Sequence, residues 1–119
     1  DGFGPWTVKA GLQHVAPPIG VLSRMVTLRL HLDPVSTHNA PLLVAVGSHR
    51  CGRISEAKVG EIVNGSETFA CLAKRGDVWL YSTLVLHASE AAVVPTRRRV
   101  LQIDYSADEL PGGLEWYGV

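Results

Sequence analysis

The chain has 119 residues, 46% hydrophobic and 18% charged, which predicts one globular domain with a buried interior and excludes a disordered segment. Lys plus Arg (11) balances Asp plus Glu (11), so no net field favours nucleic acid, and no apolar run is long enough to span a membrane. Cys51 and Cys71 lie outside any Cys-x-x-Cys spacing and read as free thiols of a reducing cytoplasm, while neutrality leaves self-association unopposed.

In chain order, Trp6 to Lys9 is β-prone, and Gly11 to Pro18 reads as an ordered loop because Pro17 and Pro18 block ladder hydrogen bonds. Arg24 to Leu32 alternates. Val26, Leu28, Leu30 and Leu32 share one face, and Met25, Thr27, Arg29 and His31 the other, which is polar and carries no acid before Asp33. Asp33 to Pro41 is turn chemistry, and Leu42 to Val46 is a short apolar strand stopped by Gly47. Ile54 to Val63, closed by Asn64-Gly65 and weakened by Gly60, is the one predicted helix.

Thr68 to Ala73, Asp77 to Ser82, Leu84 to His87 and Arg98 to Tyr105 complete seven expected strands. The fold class is therefore mainly β, a sandwich or barrel-like sheet pair with one short helix. The tail from Leu110 to Val119 carries Trp116 and Tyr117 and is expected to pack on a sheet or a partner.

His87 follows the apolar run Leu84-Val85-Leu86, so a buried strand would end by presenting an imidazole. Such a group is either a metal ligand or a core histidine bonded to a carbonyl. Ser89 shares its face. Arg97, Arg98 and Arg99 open a strand on alternating faces, so one parity puts an arginine inside the sheet pair, where a guanidinium needs a carboxylate. The competing reading is three solvated cations. His31-Leu32-Asp33 offers two ligand types on one face, or merely a turn cap.

The segments Met25 to Asp33, Pro41 to Arg50 with its Gly-Ser-His-Arg, Gly76-Asp77-Val-Trp-Leu, His87-Ala-Ser89 and Arg98 resemble, in order, the C-terminal half of phytanoyl-CoA dioxygenase-like Fe(II)/2-oxoglutarate oxygenases. The resemblance covers nearly the whole chain as a single domain, 1–119. It implies a partial double-stranded β-helix of the jelly-roll or cupin kind. It implies Fe(II) and 2-oxoglutarate as cofactors, with His87 as the distal iron ligand, Arg98 on the C5 carboxylate and Ser89 as a second contact. It also puts Lys9 and Gln13 on a pocket wall, and makes Gly47-Ser48-His49 a structural turn.

Family members carry a His-x-Asp upstream of the region resembling Trp6, and this chain starts after that point. His31 and Asp33 are the alternative metal ligands within it. The expectation is thus a truncated relative without a full iron site, acting as a small-molecule-binding or self-associating β domain. An active Fe(II)/2-oxoglutarate hydroxylase is the alternative. A homo-oligomer covering an exposed sheet edge is expected, with neither nucleic acid nor membrane as partner. A generic β-sandwich adaptor would instead leave Arg98 in solvent.

Overall fold

The two apolar segments flanking Asp33 to Pro41 go to different sheets. A computed structural model describes residues 2–117. Its strands are β1 (Trp6–Lys9), β2 (Leu12–Val15), β3 (Val26–His31), β4 (Leu42–Ala45), β5 (Thr68–Cys71), β6 (Val78–Ser82), β7 (His87–Ala88) and β8 (Val100–Tyr105). Helices α1 (Ile19–Leu22) and α2 (Glu56–Asn64) and a 3-10 turn at Ser48–Cys51 interrupt them. The chain is mainly β and of the jelly-roll class.

Two antiparallel sheets, ordered β6-β3-β8 and β5-β4-β7, face each other, with β1-β2 as a separate hairpin. Ring contacts bridge the sheets: Phe69 meets Trp79 at 5.6 Å between centroids, and Tyr81 meets His87 at 6.3 Å. The buried apolar residues are mostly small, namely Met25, Val35, Leu42, Ala45, Cys71, Ala73 and Val85. Each fully buried Val or Leu contributes about 1.5–3 kcal/mol, so this interior is thinly provided for its size.

Three expectations are corrected. The predicted loop after β1 is a strand: Ala10 and Gly11 take positive φ (50° and 78°), as a two-residue hairpin turn requires, and pairing ends at Val15 before the prolines interfere. Pro18 instead caps α1, a turn of helix that the sequence pattern did not single out. Leu84 to Leu86 is not a strand; Val85 N–H folds back to the Ser82 carbonyl at 3.0 Å, so His87 opens β7 where it was expected to close a strand. The predicted helix forms at α2.

The alternation of β3 holds, and its polar face turns inward. Thr27 and His31 are buried and Arg29 half-buried on the side facing the second sheet. Val26, Leu28 and Leu30 face outward beside Val78, Leu80, Leu101 and Tyr105, and Leu80 is 63% exposed. The tail lies against the hairpin through Tyr117, whose ring meets His14 edge-on at 4.9 Å, and Trp116 Nε1 donates to the Asp108 carbonyl. Gly118 and Val119 fall outside the described residues.

Candidate functional site

Tyr81, paired with Thr27 beside the inward stripe of β3, meets His87 across the sheet pair. β7 pairs with β4 through Val44 and His87, and this register aims the imidazole at Tyr81 of β6. His87 Nδ1 lies 2.9 Å from the Val85 carbonyl. A carbonyl only accepts, so Nδ1 carries a proton, and in the neutral ring the lone pair is on Nε2. This is the tautomer a metal-ligating histidine needs, with its other nitrogen already oriented.

What holds the turn before His87 is the Gly47-Ser48-His49 segment. Gly47, at φ 83°, admits a left-handed step that an L side chain resists, and it starts the 3-10 turn. Ser48, 1% exposed, accepts the Leu86 N–H on its Oγ at 2.8 Å, and Ala45 N–H donates to the Leu86 carbonyl at 2.9 Å. The segment thus has the structural role that the resemblance implied.

Arg98 lies just before β8 and shares the parity of Val100, Gln102 and Asp104, the residues opposite the inward side chains of β3. Its guanidinium donates to the Ala40 carbonyl. The turn from Asp33 to Pro41 clasps this segment: Asn39 donates to Thr96 Oγ1 at 2.6 Å, and Val93 and Val94 N–H groups reach the His38 carbonyl. Arg99, of opposite parity, grips Asp33 through Nε and Nη2 at 2.9 and 3.0 Å. Those bonds hold the Asp33 carboxyl well below the usual carboxylate range, and Arg97 adds to the effect.

The inner face is cationic around a neutral imidazole. Burial lowers the His31 pKa, Arg29 and Arg98 lower it further, and Asp77 opposes them. Burial pushes the Tyr81 hydroxyl up while Arg29, acting on it by hydrogen bonding and by charge, offsets part of that rise. Burial likewise raises the Cys71 thiol, which leaves it a poor nucleophile. Arg29 Nε and His31 Nδ1 are buried without a hydrogen-bond partner.

The sequence-derived candidates separate on this frame. His31 is buried in the interior, whereas His87 and Ser89 on and after β7, and Arg98 before β8, are exposed. Asp33 does not join them, because Arg99 holds it. Among the described residues no three His, Cys, Asp or Glu side chains come together where a metal ion could sit, so His31, Asp33 and His87 are not assembled as a ligand set. Lys9 and Gln13 stand on opposite faces of the hairpin, since Lys9 pairs with Leu12 and Gln13 with Val8; they cannot line one wall. Sequence reasoning passed over Arg29 and Tyr81. The signal was available in Arg29, a guanidinium between leucines on a strand long enough to be central.

The phytanoyl-CoA dioxygenase (PhyH) family matches residues 5–100. The chain belongs to the phytanoyl-CoA dioxygenase family. Among solved structures, EctD from S. alaskensis with 2-oxoglutarate and 5-hydroxyectoine is similar at 29% identity and TM-score 0.63, over 71% of this chain and 32% of that one. EctD with bound Fe gives 28% and 0.64 over the same shares. AviO1 from Streptomyces viridochromogenes Tue57, at 24% identity and TM-score 0.64, covers 75% of this chain and 39% of its own, and shares the fold. A comparison with curated proteins gave no match. The chain spans about a third of the length of the EctD structures it matches.

Proposed function

We propose that this chain binds a small carboxylic acid of the 2-oxoglutarate type between its two sheets. Arg98 is the carboxylate partner, Ser89 a second contact, and His87 the imidazole offered to iron. The observation that carries the reading is Arg98, exposed beside the start of β8, tied to the Ala40 carbonyl and close enough to act on His31. Arg98 is itself exposed, which an adaptor resembling these oxygenases in topology alone also expects, so the ligand titration separates the two. The 2-oxoglutarate and Fe in the EctD structures support the same ligand chemistry.

For iron the residues fit in part. His87 has the right tautomer, but the described residues bring no second and third ligand beside it, so they do not make a complete centre and no step through iron is assigned. The chain acts in this reading as a binding domain, and hydroxylase activity is the alternative, favoured by the His87 tautomer. Self-association is part of the proposal, supported by the apolar outer face of β3 and by β7 and β8, each paired on one side among the described residues. Sedimentation across a concentration series tests it, and a monomer throughout removes it.

Calorimetric titration with 2-oxoglutarate, with and without Fe(II), tests the binding reading. Binding is expected without metal, weakened about tenfold or more in Arg98→Gln through loss of charge-assisted bonds. Absence of 2-oxoglutarate binding in either condition sinks it. Stoichiometric iron uptake with release of succinate would establish the hydroxylase instead.

A further inference from the structure

Two polar groups on the inner face of β3 lack partners, and they are neighbours two residues apart on one strand face. His31 is 4% exposed, its backbone held by the Asp77 carbonyl and the Gly76 N–H, and its Nδ1 meets nothing. Arg29 Nε is buried in the same condition, although Arg29 acts on the Tyr81 hydroxyl. An unpaired buried donor costs about 1–3 kcal/mol, more when charged, so two on one stripe call for an occupant.

The nearby acids each accept a hydrogen bond from a group other than Arg29 or His31. Asp104 Oδ1 accepts from Thr27 Oγ1 at 2.6 Å, and Asp77 Oδ2 accepts from the Lys74 N–H at 2.7 Å. A water would satisfy His31 Nδ1 but would leave Arg29 Nε, a charged donor, without an anion on its fork. The Nε side of a guanidinium and one adjoining N–H form the edge that takes a carboxylate with two parallel bonds.

We propose that Arg29 and His31 form an interior subsite for a carboxylate of a small organic acid, with Tyr81 orienting the guanidinium. This rests on the proposed binding function and deepens it: Arg29 reaches the ligand from β3, and Arg98 from the β8 side. His31, assigned above to a possible metal set, becomes a hydrogen-bond donor to an anion.

The test titrates the 119-residue chain with succinate, which lacks a keto group and does not depend on iron, while isotope-edited NMR follows arginine Nε–H and histidine ring signals. The Arg29 Nε–H and His31 Nδ1 signals are expected to move on binding. Arg29→Lys, which keeps the charge and loses the fork, should weaken binding about tenfold. Succinate binding that moves Arg98 while Arg29 and His31 stay still overturns this inference and leaves the proposed function standing. Movement of Arg29 and His31 with Arg98 unmoved supports the subsite and removes Arg98 from the proposed function. No binding of succinate or 2-oxoglutarate overturns both. The wild-type spectra decide the matter even where the variant fails to fold.

Discussion

Ser48 Oγ accepts the backbone hydrogen of Leu86 at 2.8 Å, one residue before the imidazole of His87. A hydroxyl in the Gly-Ser-His-Arg segment therefore sets where β7 begins. Ser48→Ala would leave the Leu86 N–H without its acceptor in a nearly closed site, at a cost of about 1–3 kcal/mol. Chemical denaturation should show that loss, and an unchanged midpoint would mean that water replaces the hydroxyl.

The His87 tautomer is directly observable. With Nδ1 donating to the Val85 carbonyl, ring nitrogen shifts near neutral pH should report the Nδ1–H form with Nε2 unprotonated. The opposite tautomer would remove the argument that the ring is oriented for a ligand.

Asp33 and Arg99 predict an acid-side stability effect. The folded carboxyl titrates below its unfolded value, so the stabilisation is present above the usual carboxylate range and is lost as pH falls through the folded value. Asp33→Asn should lower the melting temperature near neutrality. The gap from wild type should close in strong acid, and a gap that persists there would assign the effect to packing.

His31 predicts a second dependence with a different window. Its folded pKa is lowered chiefly by burial, so below about 6.5 the unfolded chain takes up the proton first and stability falls as pH drops. In His31→Gln this part of the slope should be missing. Thermal melts between pH about 7.5 and about 5.5 compare the two, and parallel slopes would show that His31 is not titrating in this way.

Strand positions were legible where alternation or an apolar run was clean, as at β3, β4, β6 and β8. The β2 strand was hidden because two prolines just beyond it looked like a barrier to pairing, and the start of β7 was hidden because Leu84 to Leu86 is apolar for reasons of packing in a turn. Side-chain partnership was the least legible. Asp33 reads as a companion of His31 by spacing, yet a guanidinium sixty-six residues away in sequence outcompetes that arrangement. The role of Arg29 depended on which face of β3 turned inward, which alternation by itself leaves open.

The inward polar face of β3 has a practical side for anyone engineering the chain. Ordinary solubility design would leave the leucines of β3 alone and treat its charged residues as free to vary. Here Leu80→Lys should spare the folded interior and act on self-association instead, and Arg29→Glu should be the ruinous edit. A mutational scan coloured by hydrophobicity would thus look inside out on this sheet.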